Sequence, residues 1–153
     1  MTNGPREGDR APDFTLTAQD GNKVSLHEFL AKKNVVLYFY PKDFTAGCTA
    51  ETKAFGESYE SLTSLGAEVI GVSADSEQSH QSFASECGAR FILLSDPGGH
   101  VAELYGVRRA LGLIPGRVTF VIDKGGVVRR VFSSQLNPRR HVSEAVDALK
   151  VLG

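Results

Sequence analysis

Thiols are scarce in this chain: two cysteines, Cys48 and Cys87, stand among 153 residues. Two are too few for the disulfide framework of a small secreted scaffold, and no C-x-x-C occurs to make a thioredoxin-type disulfide reductase. Their separation of 39 residues, with His27, His80, His100 and His141 scattered, lacks the paired spacing of a structural zinc site. The histidines are expected on the surface or on helix faces. Charge of either sign is not in excess either. Seventeen Lys and Arg face eighteen Asp and Glu, so nothing drives binding to nucleic acid or to an anionic membrane. The basic pairs 108–109, 129–130 and 139–140 read as solvated edges. No run of 18 apolar residues and no signal-like leader is present, and the chain reads as soluble and cytoplasmic. Repeats, low-complexity tracts and linkers are missing as well. One domain over residues 1–153 is expected.

What is present is a strand and helix alternation. VVLYFY (35–40), EVIGVS (68–73), VTFVID (118–123) and VVRRVF (127–132) read as buried strands. A helix over 48–65 carries Phe55, Tyr59 and Leu62 on one stripe and stops at Gly66; a second runs over 77–87, from an Asp75 or Ser76 cap to Gly88. A third over 138–152 begins at Asn137-Pro138 and keeps Val142, Ala145, Val146 and Leu149 together. Asp123-Lys124-Gly125-Gly126 is a hairpin turn, and DFTLTAQDGNKVSL alternates about Asp20-Gly21 as an N-terminal β-hairpin. The class is α/β with a mixed central sheet flanked by helices.

Catalytic groups in such sheets collect beyond the carboxyl ends of the strands, where YPKDFTAGCTAET (40–52) lies. Cys48 falls in the first turn of a helix, on the face of Phe55 and Leu62. Unpaired N–H groups and the positive dipole end there favour the nucleophilic thiolate, so its acidity should rise. Arg117, at the start of RVTFVID, is the best candidate to add to that effect. Thr45 offers a hydroxyl to a small polar substrate, Pro41 stiffens the turn, and Glu51 is placed to hold an arginine. Phe39, Tyr40, Phe44 and Phe120 are expected to wall the pocket. Each residue also has a plain structural role open to it: buried thiol, helix cap, first-turn acid, solvated strand end.

Together these residues resemble a known family. PKDFTAGC (41–48) matches the P-x-x-x-T-x-x-C signature of peroxiredoxins, and RVTFVID resembles the segment bearing their active-site arginine. The likeness is to the bacterioferritin comigratory protein or PrxQ type, with Ala46 where D-F-T-P-G-C-T has proline. It extends from GDRAPDFTL through LLSDPGG to the final helix. The resemblance implies a thioredoxin-like fold and reduction of hydrogen peroxide and alkyl hydroperoxides with no metal or organic cofactor. By motif position Cys48 would be the peroxidatic cysteine, with Pro41, Thr45 and Arg117 completing its pocket. Many relatives place a resolving cysteine five residues later, where this chain has Lys53. Others carry it on the following helix, at a position that aligns with Ala84, one turn before Cys87. Cys87 is thus the implied resolving thiol, with core packing as its alternative. Resolution by an external thiol, or a peroxide-sensing, chaperone-like switch, are the competing functions. The subgroup also implies thioredoxin as reductant and a monomer.

Overall fold

The structure, a computed structural model, describes residues 4–107, 109–110, 114–115, 117–134 and 137–152; Arg108, expected on a solvated edge, lies outside them. Its frame is a seven-stranded sheet. In chain order the elements are β1 (Thr15–Ala18), β2 (Lys23–Ser25), β3 (Asn34–Phe39), α1 (Ala46–Glu57), α2 (Tyr59–Ser64), β4 (Ala67–Ser73), α3 (Glu77–Cys87) and β5 (Ile92–Ser95). Then come α4 (His100–Leu104), the short β6 (Arg109–Ala110) and β7 (Ile114–Pro115), β8 (Val118–Ile122), β9 (Val128–Ser133) and α5 (Pro138–Leu152). The sheet order is β2-β1-β5-β4-β3-β8-β9, parallel across β3, β4 and β5 and antiparallel at both flanks. The mixed sheet and the N-terminal hairpin match the expectation. β5 was not expected: its four residues are too short a run to stand out from the loop that follows.

β3 shows why the apolar runs lack a polar face. Val35, Leu37 and Phe39 enter one core with Ile70, Val72 and Phe120, covered by Phe14 and Leu26 of the N-terminal segment and by Tyr105. Val36, Tyr38 and Tyr40 enter the other, which holds Cys48, Phe55, Phe83 and Leu149. A strand buried on both faces reads as a continuous apolar run. Fully burying one such Phe or Leu contributes about 1.5–3 kcal/mol.

The helices refine the sequence reading. The expected single helix over 48–65 begins two residues earlier and kinks at Ser58, where φ −98° and ψ 4° leave the helical region. The kink does not disturb the inward face, since Cys48, Phe55 and Leu62 are all fully buried. α3 keeps its expected bounds: Ser76 accepts a cap bond from the Ser79 N–H, and Gly88 takes φ 66° beyond its end. At the β8–β9 turn, Asp123 Oδ1 accepts from the Gly125 and Val127 N–H groups. No helix among the described residues is long and apolar enough to cross a membrane.

Candidate active site

Strand direction brings the site together. β8 runs antiparallel to β3 with Val118 opposite Phe39, so Arg117 lies beside the carboxyl end of β3, where the chain turns into α1. The period of two sends Arg117, like Thr119 and Val121, to the face that carries Cys48.

Cys48 is the third residue of α1, fully buried, in the turn whose N–H groups have no intrahelical acceptor. Arg117 Nη2 donates to its sulfur at 3.4 Å, and Nη1 donates to Glu51 Oε1 at 2.7 Å. A buried guanidinium in that position stabilises negative charge on the sulfur. Burial works against the Arg117 charge, but the facing Glu51 carboxylate and Cys48 sulfur outweigh it and hold the guanidinium above its ordinary value. Burial also pushes Glu51 up to about 7, against the downward pull of Arg117. Gly47 makes the approach possible, for a Cβ there would lie 2.8 Å from Arg117 Nη2.

Thr45 and Pro41 stand differently. Thr45 is the N-cap of α1 by backbone conformation, yet its exposed hydroxyl donates to the Lys42 carbonyl at 2.9 Å, not to the helix or the sulfur. Pro41 is half-buried. Between them Phe44 adopts φ 66°, unusual for a non-glycine residue, and packs its ring on Phe83 at 5.2 Å while remaining 52% exposed. The expected aromatic wall needs correction. Tyr40 shares the Cys48 core, but Phe39 and Phe120 point through the sheet to the opposite one, because their positions alternate with those that face the thiol.

Both cysteines are free thiols; Cys87 is half-buried in the last turn of α3. Burial raises its pKa, opposed by Lys53. Tyr38 links the two regions. Its phenol, hydrogen-bonded to Thr52 at 2.9 Å, is pushed well above its ordinary value by burial, then by Glu51, with Cys48 and Cys87 adding smaller effects.

His80 and His141 lie on helix faces, as one half of the expectation had it, and those faces turn inward so that both rings are fully buried. His80 Nε2 donates to the Leu94 carbonyl at 2.9 Å, and Nδ1 lies 2.7 Å from Asp43 Oδ2. Asp43 also accepts from Tyr40 at 2.6 Å and Ser79 at 2.8 Å, and its own N–H donates to Asp75 at 2.9 Å. Asp43, Asp75 and His80 offer donor atoms within 4.8 Å of one another, but those atoms serve this clasp between the 41–45 loop and α3. His141, on the stripe of Val142 and Ala145, reaches the site from α5: Nδ1 lies 2.7 Å from Thr119 Oγ1 and 3.5 Å from Glu51 Oε2. A histidine on an apolar helix stripe was the available signal.

A thiol buried at a helix N-terminus against a guanidinium, at the end of a central strand of a thioredoxin-like sheet, defines a cysteine-dependent redox enzyme. The chain belongs to the AhpC/TSA family, whose model matches residues 7–131. Within that family it is of the peroxiredoxin Q and bacterioferritin comigratory protein type. It is 46% identical over 147 residues to the chloroplastic peroxiredoxin Q of Sedum lineare, covering 95% of this chain and 78% of that protein. The chloroplastic peroxiredoxin Q of Arabidopsis thaliana is 48% identical over 145 residues, covering 94% and 67%. The crystal structure of peroxidoxin BcpB from Mycobacterium tuberculosis superposes with a TM-score of 0.91 at 34% identity, covering 97% of this chain and 99% of that one. The protein is a thiol-dependent peroxidase, with peroxide as substrate and a thiol as reductant. The plant relatives are named chloroplastic, which overturns the cytoplasmic location expected from the sequence. Balanced charge and few thiols belong to the catalytic fold and carry no address.

Proposed function

We propose that Cys48 is the peroxidatic cysteine, and that hydrogen peroxide and organic hydroperoxides are reduced at its sulfur. The observation that carries this reading is the Arg117 guanidinium 3.4 Å from Cys48 Sγ, fixed from behind by Glu51 at 2.7 Å. The thiolate attacks one peroxide oxygen as the O–O bond breaks; the sulfur becomes sulfenic acid, and the other oxygen takes a proton and leaves as water or alcohol. Arg117 and the free N–H groups of the first turn of α1 stabilise charge on the oxygens. Thr45 binds peroxide after its hydroxyl turns from the Lys42 carbonyl, and Pro41 holds the loop that carries it.

Cys87 then condenses with the sulfenic acid, releasing water and forming a disulfide, and thioredoxin reduces that bond. Supporting this role is the place of Cys87, a half-buried free thiol packed against the core cluster that holds Cys48. The chain acts as a single domain over residues 1–153 and as a monomer. The test is thioredoxin-coupled peroxide consumption by wild type, Cys48→Ser and Cys87→Ser, with mass spectrometry after one equivalent of peroxide. The expected result is a dead Cys48→Ser, a Cys87→Ser protein that stops at sulfenate or sulfinate, and a wild type lighter by two hydrogens. Wild-type turnover by Cys87→Ser would hand resolution to an external thiol. Stoichiometric oxidation without turnover would favour a peroxide sensor.

A further inference from the structure

Glu51 Oε1 is engaged by Arg117, whereas the equally buried Oε2 has no hydrogen-bond partner among the described residues. What Oε2 faces is His141 Nδ1, 3.5 Å away. The other ring nitrogen lies 2.8 Å from the Ser134 carbonyl oxygen, which only accepts, so Nε2 carries the proton. The Nδ1 lone pair of a neutral ring then accepts from the Thr119 hydroxyl at 2.7 Å and also faces Glu51 Oε2, which has no proton to offer it as a carboxylate. A carboxylate oxygen buried opposite a lone pair, with no donor among the described residues, is unfavourable; one proton held between Oε2 and Nδ1 relieves it, the Thr119 hydroxyl turning from donor to acceptor when that proton sits on Nδ1.

We propose that His141 is a positioning residue: its Nδ1 shares a single proton with Glu51 Oε2, and this pair, rather than Glu51 alone, sets how Arg117 divides its charge between Glu51 and Cys48. With the proton on Oε2, Glu51 is neutral and the guanidinium serves the sulfur. When the proton leaves for bulk water, the carboxylate competes for Arg117. Burial pulls the His141 ring below its ordinary value, with Arg117 adding to the effect and the Ser134 carbonyl opposing it. The charged and titratable groups facing the pair are Arg117 before β8, Cys48 on α1 and Tyr38 on β3. From β9 comes the neutral Phe132 ring, edge-on to His141 at 4.8 Å, while Arg140 on α5 lies over that ring at 5.4 Å and Glu144 accepts from Arg130 at 2.6 Å.

The inference rests on Cys48 as the reacting thiol, and its test reads sulfur charge without peroxide. The rate of Cys48 alkylation by iodoacetamide is followed from about pH 5 to about pH 9 in a Cys87→Ser background. His141→Gln keeps a donor for the Ser134 carbonyl and lacks an acceptor at Nδ1; His141→Asn places an amide where Nδ1 stands. The alkylation midpoint is expected to move by at least about half a pH unit in His141→Gln and to return most of the way in His141→Asn. Profiles that superimpose on the parent protein overturn the proposal. Should the variants fail to fold, ring ¹⁵N resonances of His141 in the intact chain decide: Nδ1 is expected to be unprotonated at high pH and to shift on Glu51→Gln. Indifference to that change overturns the proposal equally. A protein that never turns over peroxide yet shows the shifted profile would refute the role of Cys48 and leave the shared proton standing.

Discussion

Gly47 is a residue at which helix propensity and activity pull in opposite directions. Alanine there suits a helix better than glycine by up to about 1 kcal/mol, which offsets part of what the displaced guanidinium loses, so Gly47→Ala is expected to fold with a melting temperature lowered by only a few degrees. Its Cβ, however, would stand 2.8 Å from Arg117 Nη2, and the guanidinium, rather than the backbone, must give way. Loss of a charge-assisted contact of about 1.5–3 kcal/mol corresponds to roughly a 10- to 100-fold fall in kcat/KM, measured beside the melting curve. Glu51 yields a second expectation. Its pKa is raised from 4.5 to about 7 by burial against the pull of Arg117, so the folded chain binds more protons than the unfolded one between those values. Its contribution is therefore complete below about pH 4.5 and lost as pH rises through about 7, at most about 3 kcal/mol. Urea titrations across that range should show wild-type stability falling relative to Glu51→Gln, and parallel curves would refute the shift.

At the scale of elements, the Asp43–His80 clasp ties the turn before α1 to the first half of α3. Both side chains are buried, and leaving a buried polar group without its hydrogen-bond partner costs about 1–3 kcal/mol. Asp43→Asn is expected to lose part of that, and amide exchange in the first turn of α1 and in α3 should accelerate together while β3 and β4 hold. Acceleration in only one helix would show that the clasp does not couple them. Within the sheet, Gly71 leaves room for Tyr38: a Cβ would meet the ring at 2.7 Å and Leu93 at 2.8 Å. Gly71→Ala should cost about 1–3 kcal/mol and lower the melting temperature by roughly 2–12 °C. These contacts also mark where the sequence stopped being informative. β3, β4, β8 and β9 were legible because each is a run of apolar or β-branched residues, and α3 and α5 because they carry caps and stripes. β5 was too short, and the kink at Ser58 carries no breaker residue. Cys48, Glu51 and Arg117 were legible because one strand–helix junction and one strand end define them. Gly47, Thr119 and His141 were not, since their proximity arises only when β8, α1 and α5 pack.

The whole molecule places its chemistry on one side of a rigid sheet. One face is covered by the N-terminal segment and α4, and the other by α1, α3 and α5, which carry both thiols and the Arg117 support. A Cys48–Cys87 disulfide requires Cα atoms within about 7 Å, and both sulfurs sit on ordered helices, at the first turn of α1 and the last turn of α3. Unwinding at those two ends, the parts of each helix with fewest internal hydrogen bonds, is the least costly way to bring the sulfurs together. β3 and β4, packed on both faces, lose nothing by it. One equivalent of peroxide should thus lower the far-UV helical signal by roughly a third of what α1 and α3 contribute, one turn from each, and reduction should restore it. Amide exchange should accelerate over the first turns of α1 and the end of α3, while β3 and β4 keep their protection. A disulfide proved by mass spectrometry in a chain with its full helical signal would mean that the thiols meet by rigid rotation of α3, and Cys87→Ser would then leave the exchange pattern of the oxidised state unaltered.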